Sequence, residues 1–193
     1  MSHDHDNMNT YLALEAVVVG DDPTTSRVVE IGCVEMHDDH PTGRSFHSYA
    51  NPGRDLDVAA LQAKGLSTEA LADKPRFGDI AYGLICVIRD RPVLVLDAER
   101  VSAIEREMAR VVEQLKPAGW SGEYRLDQVC ELSVLSQIGQ AMGQEDTSIE
   151  GFCKQYVLAA PQRAGGSLAV ARFTGNLWQS MLPEYHKWQA KHS

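Results

Sequence analysis

The amino-acid sequence predicts an α/β domain in which a mixed sheet, antiparallel over its first three strands, is flanked by helices. Three observations carry this. Residues 10–19, 27–36 and 44–50 are strand-like runs rich in β-branched and aromatic residues, and only turn chemistry separates one from the next. Residues 99–115 repeat apolar side chains at helical spacing. Short apolar runs alternate with helical ones over the rest, giving the order β-β-β-α-β-α-β-α-α-α.

The first and second strands are linked by "GDDPTTS" and the second and third by "HDDHPTG", so the three form an antiparallel meander. "NPGRDLDVAALQAKG" opens with a Pro-Gly turn and an acidic start, and its short helical run is ended by Gly65. "STEALADKP" repeats the device, with Ser67 as N-cap and Pro75 beyond the end. In "FGDIAYGLICVIRD", Phe77, Ile80, Leu84, Val87 and Ile88 fall near helical spacing, as in a helix packed on the sheet. "RPVLVLDAE" has the continuous apolar run of a strand covered on both faces. The helix over 99–115 presents Val101, Ile104, Met108, Val111, Val112 and Leu115 on one side. "KPAGWSGEYR" reads as a loop, and a short strand around "LDQVCEL" follows. Helices over 132–142 and 148–158, the second opened by Thr147 or Ser148 with Glu150 nearby, lead to a last helix over 167–190 in which Pro183 is a candidate break. No repeat or linker interrupts this, so residues 1–9 are expected to be a flexible segment and 10–193 one domain.

Composition narrows the function. With 193 residues, 44% of them hydrophobic, the chain can build one substantial core. No apolar run approaches the roughly 20 residues of a membrane span, and "MSHDHDNMNT" lacks the basic and apolar parts of a signal peptide. A cytoplasmic protein with no membrane partner is expected. Cys33, Cys86, Cys130 and Cys153 lie far apart in apolar segments, as buried thiols do, and not at zinc-ligand spacing. A net charge of −9 excludes tight non-specific nucleic-acid binding by the whole surface and leaves room for a local basic groove.

One residue breaks the strand pattern. Glu15 is a lone carboxylate in "YLALEAVVVG", either facing solvent on an open sheet face or placed there for chemistry. Asp97 and Glu99, in "VLDAER" at the end of the buried strand, have helix capping as their ordinary role and metal ligation as the other. His47 reads as a partly buried sheet residue, and Trp178 and Trp188 as helix contacts.

Longer stretches resemble a known family. "RVVEIGCVEM", "TGRSFHSYANPGRDLDVAALQAKGLSTEALADKPRF" and "SIEGFCKQY" are similar, in content and spacing, to the DnaQ-like (DEDD) 3′–5′ exonucleases, which include the proofreading subunit of the bacterial replicative DNA polymerase. The resemblance runs from about residue 11 to residue 182 and implies the ribonuclease H-like fold. It also implies a site. The family's first motif is Asp-x-Glu on the first strand, where alternation puts both carboxylates on one face; here Ala13 and Glu15 hold those positions. The second is an Asp early in the helix after the fourth strand, a position held by Val101, or by Ser102 if the register slips by one. The third is a His and, five residues later, an Asp in the last helix, positions held by Gly165 and Val170. In the family these carboxylates hold two Mg²⁺ or Mn²⁺ ions, roughly 3.5–4 Å apart, and the His acts as general base.

Ala13, Val101, Gly165 and Val170 offer no ligand or base. The resemblance therefore implies a catalytically degenerate exonuclease homologue, with no metal cofactor expected. It would act by binding a protein partner, in replication, repair or mobile-element machinery, or by binding a single nucleic-acid strand without hydrolysis. The alternative is a metal-dependent 3′–5′ exonuclease on single-stranded DNA or RNA, with Mg²⁺ or Mn²⁺ held by a rearranged acidic site of Glu15, Asp97 and Glu99.

Overall fold

The computed structural model describes residues 10–89, 91–115, 126, 129–161 and 165–192. Strands β1 (Thr10–Val19), β2 (Arg27–His37) and β3 (His40–Tyr49) form the antiparallel meander that the turn chemistry predicts. Two three-residue strands, β4 (Val93–Val95) and β5 (Val129–Glu131), continue the sheet in parallel from the other side of β1, in the order β3-β2-β1-β4-β5. The helices are α1 (Val58–Gln62), α2 (Thr68–Ala72), α3 (Phe77–Ile88), α4 (Ala98–Leu115), α5 (Leu132–Ala141), α6 (Ile149–Tyr156) and α7 (Gly166–His192). No helix among the described residues is long and apolar enough to cross a membrane. The sequence-predicted flexible segment and the loop over 116–125 lie outside the described residues.

Three features differ from the sequence reading. The β2–β3 connection is shorter than "HDDHPTG" suggests, because Asp38 and Asp39 alone make the turn, both with positive φ. Pro41 then lies inside β3, which an edge strand tolerates since its outward N–H groups need no partner. Helix α7 continues through Pro183. That residue is exposed, so solvent can satisfy the carbonyl that a helical proline leaves unpaired one turn earlier. Of the cysteines expected to be buried, Cys33 is, whereas Cys153 is half-buried and Cys86 of α3 is exposed.

Polar side chains fix the helix starts: Asp57 accepts from the Ala60 N–H at 2.7 Å, Ser67 from Ala70 at 3.2 Å and Ser148 from Gly151 at 3.1 Å. While the edge strand β3 is largely exposed, β1, β2 and β4 are buried on both faces of the sheet. On one, Leu12, Leu14, Ala16, Ile31 and Cys33 pack against α3 and α4. On the other, Ala13, Val34 and Met36 pack against Ala171 of α7, and Leu94 joins Leu135, Phe152, Phe173 and Leu177 from α5, α6 and α7. Double coverage explains why β1 reads as an almost unbroken apolar run.

Helix α7 sits very close to the sheet, and Gly32 is the reason. A Cβ there would come within 2.6 Å of the Leu168 nitrogen and 2.8 Å of the Ser167 hydroxyl. Gly166, at φ +68°, makes the turn into α7 in a conformation that a side chain would strain.

Candidate functional site

Glu15 lies on the α7 face of β1, directly across from Gly32 of β2. It is buried, so the reading of a solvent-facing carboxylate fails. A buried carboxylate needs compensation, and here it comes from α4. Arg100 Nε donates to Glu15 Oε1 at 3.0 Å, and the Ala16 N–H donates to the same oxygen at 3.1 Å. Burial nevertheless holds the Glu15 carboxyl above its ordinary range, with Arg100 and the Ala16 N–H pulling the other way and Asp97 adding to the rise.

The start of α4 is built to aim that arginine. Asp97 Oδ1 accepts from the Glu99 N–H at 2.9 Å, as a capping residue does, and the Asp97 carbonyl accepts from the Arg100 N–H at 3.1 Å. Glu131, at the end of β5, accepts from the Ala98 N–H at 3.2 Å, tying the start of α4 to the neighbouring strand. Asp97 Oδ2 also stands 3.7 Å from Arg100 Nη2.

The other family positions are spread over different surroundings. Ala13 is fully buried under α7, where a Cβ built on Gly175 would already come to 3.5 Å of its methyl group. Val101 turns into the core beneath α3, and Ser102 is exposed. The α4 residue that meets Glu15 is thus Arg100, one position before the residue that the family spacing indicates. Gly165 is exposed, and Val170 is half-buried with its carbonyl accepting from the Thr174 hydroxyl at 2.9 Å.

Asp97, Glu99 and Arg100 line a cleft of about 460 Å³ together with the end of β1, the turn after it, Ala60 of α1, and Ala63 and Lys64 just beyond that helix. Of the acids that line it, Glu99 pairs with Arg106 at 3.8 Å and Asp97 shares Arg100 with the buried Glu15, and Asp21 lines it as well. Among the described residues no group of three or more His, Cys, Asp or Glu could hold a metal ion. The pair of divalent ions that the fold family implies does not fit these residues. Four positive charges would meet a single buried carboxylate on β1, and an arginine already occupies it.

A second polar cluster on the same face escaped the sequence reading. Glu30 Oε1 accepts from the Ser167 N–H at 2.9 Å, the Ser167 hydroxyl at 3.0 Å and His47 Nε2 at 2.8 Å. It anchors the start of α7, and its signal was the same as for Glu15: a single carboxylate in an apolar strand, "VVEIGCV".

No family model matches the chain. Relatives do. The DNA polymerase III subunit epsilon of Rickettsia conorii is 31% identical over an alignment of 149 residues that covers 68% of this chain and 65% of that protein. The subunit of the same name from Buchnera aphidicola subsp. Schizaphis graminum is 25% identical over 84% of this chain and 68% of its own length. The chain thus spans slightly less than two thirds of the first of these relatives. Among solved structures, E. coli exonuclease I in complex with a dT13 oligonucleotide matches with a TM-score of 0.75 at 14% identity, covering 95% of this chain and 43% of that one. Cell-death related nuclease 4 matches with a TM-score of 0.67 at 18% identity, covering 91% of this chain and 64% of that one.

Proposed function

The chain belongs to the DnaQ-like family of 3′–5′ exonucleases, and we propose that it is a member that binds without hydrolysing. The observation that carries this reading is the contact between Arg100 and Glu15 at 3.0 Å. In a two-metal site the surviving carboxylate would be paired with cations from solution. Here a guanidinium of the chain itself takes that place, and with Ala13 packed under α7 the strand supplies no second ligand. An internal cation removes the need for a metal to hold the buried charge, and it repels one that approaches.

What remains is a cleft with cations along it. Lys64, Arg100 and Arg106 line the groove between α1 and α4 together with Asp21, Asp97 and Glu99. Arg100 and Arg106 would meet the phosphates of a single strand by exchanging their present carboxylate partners, and a relative in fold, exonuclease I, has been solved with dT13. A second reading, a protein partner held by the outer faces, is favoured by the net charge of −9 and by relatives that are named as subunits of a polymerase. The rearranged acidic site of Glu15, Asp97 and Glu99 is the weakest reading, because each of the three carboxylates already faces an arginine.

Fluorescence anisotropy with labelled dT13, with Mn²⁺ and with EDTA, tests the proposal. It expects binding that weakens with salt, is indifferent to metal and leaves the oligonucleotide at full length. Binding that requires Mn²⁺ and shortens the strand overturns it. Absence of binding at low salt, with the protein folded, transfers the function to the protein partner.

A further inference from the structure

On the other side of the turn over 21–26 lies a second cavity, of about 250 Å³, between the start of β2, the segment after β3, the first turn of α3 and the middle of α4. Arg27, Arg76 and Arg110 line it. The two carboxylates beside them have structural duties. Asp79 accepts from the Arg76 N–H at 2.8 Å, and Glu107 accepts from the Val28 N–H at 3.2 Å and pairs with Arg110 at 3.1 Å. Three guanidiniums against two carboxylates leave local positive charge in a chain whose balance is −9. The excess is felt: Arg27 is held below its ordinary pKa by burial and then by repulsion from Arg110, with Glu107 opposing and Arg54 adding to the repulsion.

Two of these guanidiniums are fixed by neutral acceptors. Arg27 Nη1 donates to the Thr25 and Ser26 carbonyls at 3.1 and 2.8 Å, and Arg110 donates to those of Pro23, Thr24 and Ser26 at 3.1–3.2 Å. Carbonyl oxygens orient a guanidinium without cancelling its charge, so Arg27 is pre-organised and still cationic, while Arg110 is held in place with Glu107 as its counter-charge. The N-terminal end of α3, a helix of twelve residues, opens on the same space. The volume equals that of about eight liquid waters, enough for a tetrahedral oxyanion and part of its hydration shell.

We propose that this cavity binds a phosphate group. The site is distinct from the cleft, which opens on the far side of the 21–26 turn, and it does not depend on whether the cleft holds a strand. Its phosphate is either a free anion or one unit of a nucleic-acid backbone that continues past the turn.

The test titrates inorganic phosphate into the full chain and follows calorimetric binding and the melting midpoint, against chloride at equal ionic strength. Phosphate should raise the midpoint beyond chloride. Arg76→Glu, at an exposed position, should weaken phosphate binding tenfold or more, and Arg27→Gln should weaken it as well, while Lys64→Glu in the cleft leaves it unchanged. Displacement of phosphate by dT13 would assign the site to a strand, and its absence would assign it to a free anion; either result supports a phosphate site. No effect beyond chloride in the folded protein, or equal weakening by Lys64→Glu and Arg76→Glu, overturns the proposal. Loss of dT13 binding in Lys64→Glu alone reports on the cleft and is read separately.

Discussion

Replacing Arg100 by methionine removes the charge that faces Glu15 and keeps most of the side chain's apolar length. The Nε–Oε1 separation is 3.0 Å, and the side chains of Arg100 and Glu15 are 28% and 12% exposed. With charge centres about 4 Å apart and an effective dielectric near 20, the attraction is about 4 kcal/mol. Glu15 can evade part of that loss by taking up a proton, so the expected destabilisation at neutral pH is about 3 kcal/mol. In a chain of this size that is a fall in melting temperature of about 6–12 °C. The pH dependence gives a second readout. Burial raises the folded-state pKa of Glu15, so the folded form holds that proton more tightly than the unfolded one. Stability from this group is therefore present at acid pH and falls as pH rises from the ordinary carboxylate range to the raised folded value. Arg100→Met moves the folded value further up. Its deficit should be largest near neutrality and should fade on acidification, and adding Glu15→Gln should recover most of it. Urea denaturation of the wild type and both variants at neutral and acid pH measures this. Equal stability of wild type and Arg100→Met at neutral pH, or a deficit that does not change with pH, would refute the assignment of Arg100 as the counter-charge.

Two further outcomes follow from the backbone. Val157 is 91% exposed and closes α6 with φ 54°, a left-handed conformation that a β-branched residue adopts at a cost, so Val157→Gly should stabilise by about 1 kcal/mol and raise the melting temperature by about 2–4 °C. Gly32→Ala should destabilise by about 3 kcal/mol in urea denaturation, because its Cβ would lie 2.6 Å from the backbone of Leu168 and α7 would have to move off the sheet.

The meander and the helix starts were legible because each depends on local chemistry. β1 and β2 fall where apolar, β-branched runs bounded by turn chemistry put them, and Ser67 and Ser148 cap the helices that they precede. The start of β3 was not, because two aspartates at positive φ do the work of a longer turn, and an edge strand accepts the proline that would end an inner one. At the site, sequence singled out Glu15 as the odd carboxylate. Its partner could not be found that way: Arg100 lies 85 residues away, and nothing local distinguishes it from the other cations of α4. Helical spacing explains the displacement by one residue, since Val101 completes the apolar stripe that α4 turns toward α3 and its neighbour Arg100 is left to face the cleft. Glu30 was visible as a residue but not as an anchor, because its three donors come from β3 and α7.

The central claim, that the site binds without hydrolysing, is tested most directly by incubating the purified chain in excess over a labelled single-stranded oligonucleotide with Mg²⁺ or Mn²⁺ and following the strand length with time. The account predicts that DNA and RNA both stay at full length, and that any trace of shortening persists unchanged in Glu15→Ala, as contamination would. Stepwise shortening from the 3′ end that disappears in Glu15→Ala would contradict it.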